Sequence, residues 1–240
     1  MDTQAVLNDL WTKYISSNDE KIFQSYIKGF VSTWEPQLNI HWNDPQLLSY
    51  SWMWKISSSD VKNDAGPHLS TLPDELLPAI AKFIFVAKDE TEKGSLDAAG
   101  LKKLEMIVRS LIIICRNFDN IPFVASCEYV SLMVGIAATI IHQELADKED
   151  NEKNLELELP RSEFLSCFCC FLECLYDPYL TWRDFVKGYP QADPCDLPLH
   201  SALLHMEVIP FIYDCFQTTM MVKMPWLCSN LLHILGGTIS

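Results

Sequence analysis

Apolar residues recur at helical spacing along almost the whole chain, and this period decides what the chain can fold into. Leu7, Leu10, Trp11, Tyr14 and Ile15 fall at i, i+3, i+4, i+7 and i+8, one face of an amphipathic helix over 4–16. Residues 20–34 repeat the pattern with Ile22, Phe23, Tyr26, Ile27, Phe30, Val31 and Trp34. Ser17 and Asn18 supply a break between the two, and Pro36 is expected to stop the second helix. The chain therefore opens on a helical hairpin.

The same period returns further along. In STLPDELL, Ser70 or Thr71 can cap a helix, with Asp74 and Glu75 in the first turn, where carboxylates suit the helix dipole. That helix is expected to reach about Lys88, followed by a polar linker over 89–94. Leu101, Leu104, Ile107, Val108, Leu111, Ile112 and Cys115 form the next stripe, ending near Arg116 and Asn117. A long apolar helix is expected after Pro122, ending near Leu145. Phe164, Leu165, Phe168, Phe171, Leu172 and Leu175 make another stripe after Pro160. Asp177-Pro178 is a helix start, since Asp caps and Pro at the first helical position gives up no hydrogen bond. Further helices fit 200–219 and 225–236, closed by Gly236 and Gly237.

The sum is about nine helices with short connections, paired as hairpins of about 40 residues, the spacing of HEAT and armadillo arrays. The expected fold is all-α: one armadillo/HEAT-like α-solenoid over 1–240. No exact internal repeat is visible, so a compact helical bundle is the alternative.

Three stretches depart from the pattern. Residues 36–72 carry Pro36, Pro45 and Pro67 and lose helical periodicity. Within them Tyr50, Trp52, Trp54 and Ile56 share one parity, a strand-like period of two, so the stretch reads as an extended Trp-rich insertion. Residues 147–158 hold six acids and two lysines and read as an exposed acidic loop. Pro190, Pro194 and Pro198 mark a third loop.

Composition narrows the function classes. A hydrophobic fraction of 49% is too high for a disordered chain, and only 8 glycines argue against turn-dense β folds. The formal net charge of −14 excludes a general nucleic-acid binder, which needs a basic footprint. The apolar run from Ile121 to Ile141 approaches the length of a membrane span, but Glu128 interrupts it, and it reads as a buried helix. The 9 cysteines are odd in number, and the N-terminus shows no secretory signal; both favour a reducing, cytoplasmic setting.

Cys167, Cys169, Cys170 and Cys174 are the sharpest metal candidates. They lie on an apolar helix rather than in the CxxC turns of a structural zinc site. Cys167, Cys170 and Cys174 share a face and Cys169 points elsewhere, so they read as small buried hydrophobes and no metal or cofactor is expected. The six histidines form no HxxxH or HExxH pair, and GxSxG, GxxxxGK[ST] and GxGxxG are absent. The chain reads as non-enzymatic; a Cys–His site built from distant positions has no local signature. Trp34, Trp42, Tyr50, Trp52 and Trp54 are dense enough for a protein-docking surface, with Trp42, Tyr50, Trp52 and Trp54 as its candidate residues. The competing reading, which we favour, lays this segment over the first hairpin and buries the rings.

LIIICRNFDNI (111–121), CLYDPYLTWRDFVKG (174–188) and VIPFIYDCFQ (208–217) together resemble the N-terminal region of the neurobeachin-like branch of the BEACH-domain proteins. NDLWTKYISSNDEKIFQSYIKGFVSTWE (8–35) is similar to that family's first helical hairpin, and LSTLPDELL (69–77) fits as well. Cys115-Arg116-Asn117 and Asp177-Pro178-Tyr179 with Trp182-Arg183 are the more specific parts; the rest is generic helix. The departures lie at 36–66, 147–158 and 189–198. The resemblance implies an armadillo-like N-terminal piece of a long cytoplasmic scaffold. Such a scaffold acts in vesicle trafficking and in granule or lysosome-related organelle biogenesis, through protein partners of the endomembrane system. It implies at most peripheral membrane association, through the full-length protein, and carries over no catalytic residue. A purely structural N-terminal capping array is the alternative.

Overall fold

A computed structural model describes residues 3–38, 40, 66–117, 120–126, 129–146, 160–161, 163–172 and 175. The fold is all-α. Six helices are present among the described residues: α1 (Thr3–Ser17), α2 (Glu20–Gln37), α3 (Leu76–Glu92), α4 (Ala98–Cys115), α5 (Ile121–Ser126) and α6 (Tyr129–Ala146). Residues 163–172 continue the helical structure. The expected strand at 50–56, the acidic loop 147–158, and everything after 175 lie outside the described residues.

The first hairpin turns on two residues. Asn18 adopts φ 51°, the left-handed region that Asn tolerates better than most residues, and its N–H closes on Tyr14 O at 2.7 Å. Asp19 then caps α2, accepting from the Lys21 N–H at 2.8 Å. Leu7 and Trp11 of α1 pack against Phe23, Tyr26, Ile27, Phe30 and Val31 of α2, and the Trp11 and Tyr26 rings lie 5.0 Å apart. Ile15, expected on this apolar face, is 53% exposed. Its neighbour Tyr14 takes the place against α2, with its ring 5.0 Å from that of Phe23. Pro36 does not stop α2. It removes one backbone donor, but Leu38 N–H still reaches Trp34 O at 2.9 Å, and the helix runs to Gln37.

The start and end of α3 both differ from expectation. Ser70 and Thr71 lie in a 3-10 turn, Leu69–Thr71, whose cap is His68. Asp74 and Glu75 precede the helix, which begins at Leu76 without a side-chain cap bond. At the other end 89–92 stay helical. Thr91 falls on the buried stripe of Ile80, Ile84 and Ala87, with its hydroxyl donating to Ala87 O at 2.6 Å. The i, i+4 pair Lys88–Glu92 at 2.9 Å adds to this. Gly94, at φ 66°, ends the turn.

Buried on every side from Ser110 to Cys115, α4 is the central helix. It is capped by Asp97, which accepts the Gly100 N–H at 2.7 Å. The helix expected after Pro122 is seen as α5 and α6, with residues 127–128 between them outside the described residues. Among the described residues no helix is long and apolar enough to cross a membrane.

α1 packs on α2, α2 on α4, and α4 on α3; α3 in turn packs on α6. Residues 163–172 meet α4 through Glu163, 3.2 Å from Lys102. The pairs Glu20–Lys103 and Glu35–Arg109 ascend together, so α2 and α4 run in the same sense.

A small clamp closes the C-terminal end of α4. The Asn120 amide donates to Pro67 O at 2.7 Å and Ile114 O at 2.8 Å, and its oxygen accepts the Leu69 N–H at 3.1 Å. Gly66 lies so close that a β-carbon there would stand 2.7 Å from Asn117 N and 2.8 Å from Ile113 O.

Candidate functional site

Where the two hairpins meet, the chain leaves a groove of about 410 Å³, lined by the end of α1, the start of α2, α3, and the start of α4. That volume is in the range of ligand and side-chain pockets. Its floor is aromatic: the rings of Tyr14 and Phe23 are 5.0 Å apart, and those of Phe23 and Phe83 are 6.3 Å apart. Burial pushes the Tyr14 hydroxyl above its ordinary value, so the ring stays neutral. The rim is charged. Lys103 pairs with Glu20 at 3.1 Å, Lys82 reaches Asn18 Oδ1 at 3.4 Å, and Glu90 lies two turns beyond Lys82 on α3 with Val86 between them. The lining holds no Cys or His. An aromatic floor within a mixed-charge rim is the chemistry of a binding surface.

A second constellation lies between the helices. Arg109 of α4 grips Glu35 of α2 in a fork, Nε to Oε1 and Nη2 to Oε2, both at 2.7 Å. Arg109 Nη1 also donates to Glu105 Oε1 at 3.3 Å. Glu105 is only 4% exposed. The Lys102 ammonium stands 2.6 Å from Glu105 Oε2 and pairs with that oxygen. Lys102 in turn meets Glu163 at 3.2 Å. Burial pulls the Lys102 ammonium down, but Glu105 and Glu163 outweigh it and hold it above its ordinary value. Alternating charges thus join α2, α4 and the helix at 163–172.

The expected docking residues Trp42, Tyr50, Trp52 and Trp54 lie outside the described residues. Trp34 is half-buried against the core, its ring 6.4 Å from Phe30. Of the cysteine cluster, Cys174 lies outside the described residues. Cys167 and Cys169 are both buried and Cys170 only partly, because this helix is enclosed on most sides. Burial, chiefly, pushes the Cys167 thiol far up. Among the described residues no group of His, Cys, Asp or Glu is placed to hold a metal ion.

Neither the groove nor the charge chain is expected from sequence. One signal for the chain is present there: Glu105 interrupts the apolar stripe of α4, with Arg109 four residues on. No protein-family model matches this chain. No solved structure matches it either.

Proposed function

We propose that this chain is a non-enzymatic α-solenoid segment that serves as a protein-binding scaffold. The observation that carries the reading is the stacking order. Helices that are not chain neighbours, α2 with α4 and α3 with α6, pack side by side, while α1 pairs with α2 and α3 with α4 as hairpins. Parallel stacking of successive hairpins is the plan of HEAT and armadillo arrays; an up-down bundle would pair neighbours antiparallel around one axis. Continued through the rest of the chain, the same stacking gives an array of about nine helices. Such arrays offer extended surfaces to protein partners.

The motifs at 8–35, 69–77 and 111–121 support a narrower version, in which the segment belongs to a BEACH-type scaffold of vesicle trafficking. It would then act in the cytoplasm, at most peripherally on endomembranes. The more specific of these motifs has a structural role in the described part. Arg116 caps α4, and Asn117 and Asn120 lie buried at the clamp. In the alternative reading the segment only caps a longer array.

Affinity capture with the whole chain tests the scaffold reading. Enrichment of vesicle coat or tether components is expected, reduced by Trp52→Ala with Trp54→Ala while helicity is retained. Capture of no trafficking component would leave the capping reading in its place.

A further inference from the structure

α3 carries a surface whose charges complement themselves. Its charged residues are Lys82, Lys88, Asp89, Glu90 and Glu92. Lys88 is paired with Glu92, and Asp89 with Lys93. Lys82 and Glu90 have no ionic partner among the described residues; Lys82 makes only a long contact to Asn18, at 3.4 Å. The two stand four residues either side of Val86, hence on one face of the helix, about 12 Å apart along its axis. Val86 is 48% exposed, and its neighbour Phe85, the most exposed large apolar side chain among the described residues, is 65% exposed. Lys82, Val86 and Glu90 all edge the groove described above, whereas Phe85 does not line it.

The geometry points to a second copy of this chain as the occupant of this face, in a two-fold dimer in which α3 packs antiparallel on α3 with Val86 at the axis. In that register Lys82 of each copy faces Glu90 of the other, so two ion pairs form with no residue left over. Phe85 of each copy then falls on the same side of the seam, beside its mate. A two-fold contact needs a patch that matches itself when reversed, and a cation and an anion placed symmetrically about an apolar centre meet that condition. The overall charge of −14 per chain opposes association at low salt, so physiological ionic strength is the setting for it. The inference does not depend on the scaffold reading.

Sedimentation of the whole chain, up to about 100 µM as suits a small interface, provides the test. A concentration-dependent dimer is expected. Lys82→Glu and Glu90→Lys should each weaken it about tenfold, since each turns two attractions into repulsions. The deciding arm is a mixture of the two single variants. Every pair in the mixed dimer is again of opposite sign, so the mixture should associate about tenfold more tightly than either variant alone. Both positions are exposed, and unchanged helical circular dichroism separates lost association from lost folding. A wild-type chain that stays monomeric overturns the inference. So does a dimer indifferent to the single reversals, which would place the contact elsewhere, and so does a mixture that fails to recover association.

Discussion

At the scale of single residues, the most consequential side chain is Arg109. It is largely buried and forked onto Glu35, with Glu105 beside it. Removing it leaves two buried carboxylates without that cation. Arg109→Ala is expected to destabilise the fold by about 3 kcal/mol, read from denaturant melts. Replacing Arg109, Glu35 and Glu105 together by apolar residues of similar size should recover much of that loss, since a buried ion triad contributes little beyond apolar residues of the same shape. If the single and triple replacements cost the same, the charges are not what holds α2 to α4. Gly66 is a constraint of a different kind. The atoms a β-carbon would strike are backbone atoms of 113–117, which cannot swing aside. Gly66→Ala should cost about 1–3 kcal/mol and loosen the clamp, visible as faster amide exchange at Leu69. Cys167 makes the same point for chemistry: a buried thiol far above its ordinary value supplies almost no thiolate. Alkylation of Cys167, followed by peptide mass spectrometry, should proceed only as fast as the protein opens, and rapid labelling of native protein would contradict its placement.

At the scale of elements, the long apolar stripes are legible in the sequence and their boundaries are not. α1, α2 and α4 follow directly from i, i+3, i+4 spacing, because the stripe each carries is part of the face it buries. The start of α3 is misread because Ser70 and Thr71 serve a 3-10 turn, which uses the same capping residues as a helix. Its end is misread because a polar run looks like a linker. Thr91 buries its methyl on the stripe and returns its hydroxyl to Ala87 O. The groove is illegible for a plainer reason: Tyr14, Phe23, Phe83 and Lys103 come from four helices, and no local period brings them together. Element packing also sets a pH limit. Tyr26 lies between α1 and α2, and burial raises its hydroxyl to about 12. The folded state therefore holds the phenol proton more tightly than the unfolded state does. This stability is fully present below about pH 10 and is lost as pH rises towards 12, by about 2 kcal/mol. Lys102, also raised, adds a loss in the same alkaline direction. Tyr26→Phe should flatten the fall in melting temperature above pH 10; an unchanged slope would assign the fall to other groups.

For the molecule as a whole, the charge chain does something apolar packing cannot. The stripe of α4 repeats every three to four residues, with Leu101, Leu104, Val108, Leu111 and Ile112 nearly interchangeable in size. A slip of one helical turn against α2, about 5 Å, would exchange one set of aliphatic contacts for another very like it. The same slip moves Glu105 to the place of Arg109. Glu35 would then face a carboxylate instead of a guanidinium, with both charges shielded from water. Sign therefore works as a parity check on assembly, in which the neighbouring alignment is rejected because like charges meet. Helices with similar aliphatic stripes have several nearly equivalent ways to stack, and Glu105, the acid that looks out of place in an apolar stripe, is what makes one of them distinguishable.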